Sequence, residues 1–201
     1  MDKQLWIFRH AETELNRLGM VQGKVNTVLN DVGHRQSQAL FERYGQVPFD
    51  TILVSGLQRT EQTMRHFLEA GFPVERHEAI NELSWGYQEG MLPTEASTQD
   101  YQRVVTAWEN GDYHARLQEG ESAHELRERL VPFIEHLKIR PEKKLAICTH
   151  GRTLRAMLAL MIENDLSRMG RFHHVNTCLY LVRFESGRFT VEIENDRSHW
   201  A

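Results

Sequence analysis

The chain has 201 residues, 40% hydrophobic and 26% charged, with a formal net charge of -4. That length suits one domain with a sizeable core, the mixed charge offers no basic field for nucleic acid, and no apolar run reaches the length of a membrane span. The two cysteines, Cys148 and Cys178, sit in apolar strand-like runs and read as free buried thiols of a reducing compartment; with no signal-peptide pattern at the start, the expected localisation is cytoplasmic.

Leu5-Trp6-Ile7-Phe8 is an unbroken apolar run and reads as a strand buried on both faces. Glu12 to Gln22 is polar and broken by Gly19 and Gly23, a loop with room for a short helical turn. Asn30-Asp31 caps a helix whose apolar positions are Val32, Ala39, Leu40 and Tyr44, stopped by Gly45 and Pro48. Thr51 to Val54 is the next buried strand, turned by Ser55-Gly56. One helix then carries Thr60, Met64, Phe67 and Leu68 on a single face and closes at Gly71. Val74 to Arg76 is a short strand, Asn81 to Gly90 a loop, and Tyr101 to Asn110 a helix of weak pattern.

Ser122-Ala123-His124-Glu125 fits a capping box, opening a helix with the stripe Leu126, Leu130, Phe133, Ile134 and Leu137. Lys143 to Thr149 is the fourth strand, and Leu154, Met157, Leu158, Met161 and Ile162 form the stripe of the helix after it. From Thr177 to Phe184 and Arg188 to Glu194 the pattern becomes that of strands joined by a Ser186-Gly187 turn. The expected fold is α/β, a three-layer sandwich with a mostly parallel central sheet, helices on both faces and an antiparallel C-terminal edge hairpin. Residues 1–201 read as a single domain.

Two of the buried strands end in a histidine: Arg9-His10 after the first, Thr149-His150-Gly151 after the fourth. Ligand crevices of open α/β sheets lie beyond the carboxyl ends of the strands, so both histidines are expected there. Arg59 falls in the first turn of its helix, a poor place for a cation beside the positive end of the macrodipole. It is therefore either turned to solvent or committed to a bound anion. Arginine forks match phosphate oxygens, and the helix starts after Ser55 and His150 are expected to add N–H groups to the same pocket. A histidine beside two arginines is expected to stay neutral and nucleophilic. His173-His174 reads as surface or packing.

Arg9-His10-Ala11-Glu12-Thr13, with Asn16 behind it, resembles the Arg-His-Gly-Glu-Thr signature of the histidine phosphatase superfamily, the phosphoglycerate-mutase-like proteins. Leu57-Gln58-Arg59-Thr60 is similar to that family's second arginine motif, Gly120-Glu121-Ser122 to a segment of its phosphatase branch, Thr149-His150-Gly151 with Arg155 to its second histidine motif, and Asn176-Thr177 to the start of its final strand. Glu82 stands where the family's acid normally lies. Ala11 replaces the commoner glycine, and Trp85 to Gly90 departs from the usual aromatic-rich pattern.

The resemblance implies a phosphomonoesterase that needs no metal or other cofactor. His10 would become phosphohistidine and Glu82 would act as general acid and then base. Arg9, Arg59 and His150 would hold the phosphoryl group, with Asn16, Gln22, Gly23 and Gly151 around it. The implied partner is a small phosphorylated metabolite, with no nucleic acid and no membrane, bound by a monomer or homodimer. Family mutases hold a second acidic group with basic residues inserted after the acid; here Pro93 to Gln118 offers only Arg103 and Arg116, which favours hydrolysis. A phosphoglycerate-mutase-type transferase and a non-catalytic phosphate-binding module are the alternatives.

Overall fold

The computed structural model describes residues 2–200. Its six-stranded sheet is built from β1 (Lys3–Arg9), β2 (Thr51–Val54), β3 (Val74–Arg76), β4 (Lys144–Thr149), β5 (Leu179–Glu185) and β6 (Arg188–Asp196), in the order β3-β2-β4-β1-β5-β6. The first four are mutually parallel, and β5 and β6 run antiparallel. The expected sandwich with its antiparallel edge hairpin is therefore observed. Ser186 and Gly187 both take positive φ in the turn between β5 and β6, as a tight hairpin requires.

Helices cover both faces. On one, α2 (Asp31–Tyr44), α3 (Gln58–Thr63) and α4 (Arg65–Glu69) bury Leu40, Met64 and Phe67 against Phe8, Ile52, Val54 and Cys148. On the other, α5 (Glu95–Glu109), α6 (Ala123–Ile139) and α7 (Gly151–Ile162) bury Trp108, Leu130, Ile134, Leu154 and Leu158 against Leu5, Ile7, Leu145 and Ile147. A short helix, α1 (Glu14–Arg17), lies in the loop after β1. Both Asn30 and the Ser122–Glu125 box cap as expected, the latter reciprocally. Cys148 and Cys178 are buried and free.

Two elements differ from the sequence reading. The helix expected through Thr60 and Leu68 is broken at Met64 into α3 and α4. The Ser37 hydroxyl donates to the carbonyls of Gln62 (3.1 Å) and Thr63 (2.8 Å), and the Phe67 N–H turns to Met64 instead. A side chain inserted into the backbone ladder is a sufficient cause for such a break. The weak helix expected from Tyr101 starts earlier, at Glu95, because Thr94 and Ser97 form a capping box.

Among the described residues, no helix is long and apolar enough to cross a membrane.

Candidate active site

Register brings the two histidine motifs together. Arg9 of β1 lies opposite Thr149 of β4, and the His10 N–H donates to the Thr149 carbonyl at 2.9 Å. His10 and His150 therefore leave the sheet side by side, their ring centroids 5.2 Å apart. Beyond them opens a cavity of about 440 Å³. His10, Arg9, Arg59, Glu82, Asn16, Gln22, Gly23 and Gly151, all expected site residues, line it.

His10 is 2% exposed. Its Nδ1 lies 2.7 Å from the Ala11 carbonyl, an oxygen that can only accept, so Nδ1 carries the proton and Nε2 keeps its lone pair. Burial first, then Arg59 and Arg9, push the imidazole pKa well below its ordinary value. The expected neutral histidine is thus explained by desolvation more than by the arginines. Ala11 is fully buried, and its N–H donates to Thr63 Oγ1 at 2.8 Å, so its methyl is accommodated.

Arg59 is fully buried, and neither expected alternative describes it completely. Its Nη1 and Nη2 donate to the carbonyls of Val25 (2.7 Å) and Gly23 (2.8 Å), and its Nε to His150 Nδ1 (3.1 Å). Loop carbonyls thus hold the guanidinium in the cavity wall and leave its remaining N–H bonds for a ligand. Burial lowers its pKa to about 10, still cationic at neutral pH. Arg9 also lines the cavity, and among the described residues its buried Nε has no hydrogen-bond partner.

His150 stands beyond the end of β4 as expected, with its ring turned to protein groups. It is fully buried, its Nδ1 accepts from Arg59, and its Nε2 lies 2.8 Å from Ser55 Oγ. Both ring nitrogens are engaged by protein, and the ring is absent from the cavity lining. Within the site His150 accepts from the arginine beside it.

The helix starts are also otherwise engaged. At α7 the N–H groups of Arg152 (3.1 Å) and Thr153 (3.0 Å) donate to Glu82, whose Oε1 also accepts from the Thr153 hydroxyl and the Leu83 N–H at 3.0 Å each. Ahead of α3, Gly56, Leu57 and Gln58 donate to Asn81, Ser55 and Asn26 side chains. The positive end of α7 therefore holds a carboxylate of the protein itself.

Two amides complete the floor. Asn16 Oδ1 accepts from Asn176 Nδ2 and the Thr13 N–H, while Gln22 Oε1 accepts from the hydroxyls of Thr13 and Thr27. With both oxygens occupied, the NH₂ groups remain as donors. Gly23 has φ +50°, and a Cβ there would fall 1.9 Å from Glu89 Oε1. Glu89 binds the N–H groups of Lys24 and Trp85, so it shapes this loop and does not line the cavity. Among the described residues Glu82, 9% exposed, is the only acidic side chain of the lining.

Sequence reasoning missed part of the wall. His174, read as surface or packing, lies against Gly151, where a Cβ would meet its Cε1 at 2.7 Å. Burial first, then Arg9 and Arg155, push its pKa down to about 2. Its partner His173 is exposed, as expected. Arg152, Arg155, Trp85, Tyr87, Gln88 and Tyr101 also line the cavity. Arg155 in the second histidine motif, the Trp85 to Gly90 stretch and the Asn176-Thr177 resemblance are the sequence signals that point toward this region. Arg103 and Arg116 pair with Asp100 and Glu125 on the surface, outside the cavity.

A family model described as histidine phosphatase superfamily (branch 1) matches residues 5–197. The chain belongs to the histidine phosphatase superfamily. Among superfamily members of similar sequence, phosphoserine phosphatase 1 of Hydrogenobacter thermophilus is 28% identical over 94% of this chain and 90% of its own length. A Yersinia enterocolitica protein described as a probable phosphoglycerate mutase is 29% identical over 98% of this chain and 94% of its own. The crystal structure of the alpha-ribazole phosphatase from Shigella flexneri superposes with a TM-score of 0.84 at 28% identity, covering 96% of each chain.

Proposed function

We propose that the protein is a phosphomonoesterase acting through a phosphohistidine on His10. The observation that carries this reading is the Nε2 of a buried neutral imidazole, without a hydrogen-bond partner among the described residues and set in the same cavity as Arg9, Arg59 and a single carboxylate. In the first half-reaction, Nε2 bonds to phosphorus as the ester P–O bond breaks, and Glu82 gives a proton to the leaving oxygen. In the second, water attacks phosphorus, Glu82 takes up its proton, and the N–P bond breaks to release His10 and inorganic phosphate.

Of the two Glu82 oxygens, Oε1 accepts three hydrogen bonds and Oε2 only one. Oε2 is therefore the atom suited to carry the mobile proton. Arg9, Arg59 and the amides of Asn16 and Gln22 bear on the phosphoryl oxygens as charge redistributes among them. His150 acts one step removed, by fixing the Arg59 plane. Positive charge comes from arginine throughout, and among the described residues no group of three or more His, Cys, Asp or Glu is placed to hold a metal ion.

Inorganic phosphate release from a broad panel of phosphomonoesters, with and without EDTA, tests the reading. Turnover to water in chelator is the expected result. Activity lost in EDTA and restored by magnesium, or phosphoryl transfer to an organic acceptor in place of water, contradicts it.

A further inference from the structure

Arg59 is fully buried, yet none of the three groups that hold it carries a charge. Its Nε–H goes to a neutral imidazole and its two Nη groups go to backbone carbonyls. A guanidinium shut away from water without a contacting counter-charge is costly to keep. Burial first, and then Arg9, disfavour its positive charge, while Glu82 and after it Glu89 favour it.

Glu89 reaches Arg59 through a single peptide group. The Gly23 carbonyl accepts from Arg59 Nη2 at 2.8 Å, and the N–H of that same peptide, which belongs to Lys24, donates to Glu89 Oε2 at 2.9 Å. In a trans peptide these two groups point from opposite edges of one plane. Cation, peptide dipole and carboxylate therefore follow one another in a chain, and each hydrogen bond in such a chain polarises the next.

The carboxylate is itself anchored. Its Oε1 accepts from the Trp85 N–H at 2.7 Å and from the Ser84 hydroxyl at 3.0 Å. The following N–H, that of Gly90, donates to the Val21 carbonyl at 2.8 Å. A Cβ on Gly23 would fall 1.9 Å from Oε1, so the carboxylate lies directly against that α-carbon. The turn that offers Arg59 its acceptors is thus fixed from its other side by residues 84–90.

We infer that Glu89 is a positioning residue for Arg59: through the Gly23–Lys24 peptide it holds the arginine fork in the cavity wall and supplies the negative charge that this buried cation lacks at contact. Its effect on turnover rests on the phosphatase reading; its link to Arg59 does not.

The test measures inorganic phosphate binding by calorimetry in the native protein, Glu89→Gln, Arg59→Lys and the double variant. Glutamine keeps the shape of the side chain, loses its charge and sets an NH₂ group against donors. Phosphate affinity should fall about tenfold in Glu89→Gln, but Glu89→Gln added to Arg59→Lys should cost no more than about twofold further. The kcat values for alkyl and aryl phosphates should follow the same pattern. A merely structural role would damage the loop whatever residue stands at position 59. Equal losses in both backgrounds therefore overturn the inference, as does unchanged affinity in Glu89→Gln.

If a variant does not fold, NMR of the native protein decides. The Lys24 amide proton should shift when phosphate is added, because an anion on Arg59 weakens the pull of the guanidinium on the shared peptide; an unmoved Lys24 amide overturns the link. Coupled phosphate binding without any phosphomonoester turnover would refute the phosphatase reading alone. Turnover with equal losses in both backgrounds would refute the role of Glu89 alone, and a native protein that bound no phosphate would refute both.

Discussion

Arg59 donates its Nε–H to Nδ1 of His150 at 3.1 Å, and that one contact sets what both residues can do. Nδ1 must be the bare nitrogen, so Nε2 carries the ring proton and donates to Ser55 Oγ at 2.8 Å. A protonated His150 would break the contact, and its pKa is pushed well below the ordinary value by burial first and then by Arg59. Arg59 in turn has three bonds to protein that fix its plane.

Arg59→Lys should therefore behave as a disruptive change. A lysine head cannot reach Val25, Gly23 and His150 with the flat fork geometry that an arginine supplies. We expect roughly a hundredfold loss in kcat for alkyl and aryl phosphates alike, the scale of removing one transition-state donor. Steady-state kinetics on one substrate of each kind checks this; a loss confined to one class would contradict a role on the shared phosphoryl group.

Glu82 should separate the two classes. General acid help is worth about a hundred- to ten-thousandfold, and it matters most for a basic leaving group. Glu82→Gln should lose most activity toward alkyl phosphates, while the burst of phenolate from an activated aryl phosphate should suffer much less. The burst is the proper readout, because steady-state turnover includes hydrolysis, where Glu82 would act as base. Equal losses would remove Glu82 as the acid. Glu12 and Glu89 are poor replacements: Glu12 Oε1 accepts from Asn30 Nδ2, Glu89 is committed to the Lys24 loop, and neither lines the cavity.

The buried histidines make stability fall in weak acid. His10 and His150 are held well below the ordinary pKa of 6.5, and His174 is held near 2, in each case chiefly by burial. Above pH 6.5 both folded and unfolded chains keep them neutral. Below it the unfolded chain takes up protons that the folded chain refuses, so unfolding becomes easier as pH drops. Each such histidine contributes up to about 1.4 kcal/mol per pH unit in that window. Urea unfolding between pH 8 and pH 5 should show a plateau followed by a decline, and His174→Gln should make the decline shallower. Glu75, which Arg140 holds near 2, weakens only at lower pH. A flat profile to pH 5 would contradict this account.

The sheet was readable because its central strands are short apolar runs, and because two of them end in the same residue type. Pairing Arg9 opposite Thr149 turned that repetition into contact between His10 and His150. What escaped the sequence depends on long-range packing. The α3–α4 break comes from the Ser37 hydroxyl, far away in the chain. Arg152 stands in the first turn of an amphipathic helix, and nothing local reveals that Trp85, Tyr101 and Trp108 converge on it. His150 was found by motif, but its engagement with Arg59 and Ser55 is a matter of tertiary geometry. Glu82 is undistinguished as a loop residue by itself; the family resemblance singles it out, and only the fold shows that the α7 N–H groups hold it.

The central claim is that phosphorus passes through His10. The most direct measurement is rapid acid-free quenching of the protein with ³²P-labelled substrate, followed by mapping of the label. The account predicts acid-labile, base-stable phosphate on the peptide containing His10, formed and discharged at rates compatible with turnover, and none on a folded His10→Ala that still binds phosphate. Label on a serine or a carboxylate, or undiminished turnover in His10→Ala, would contradict it.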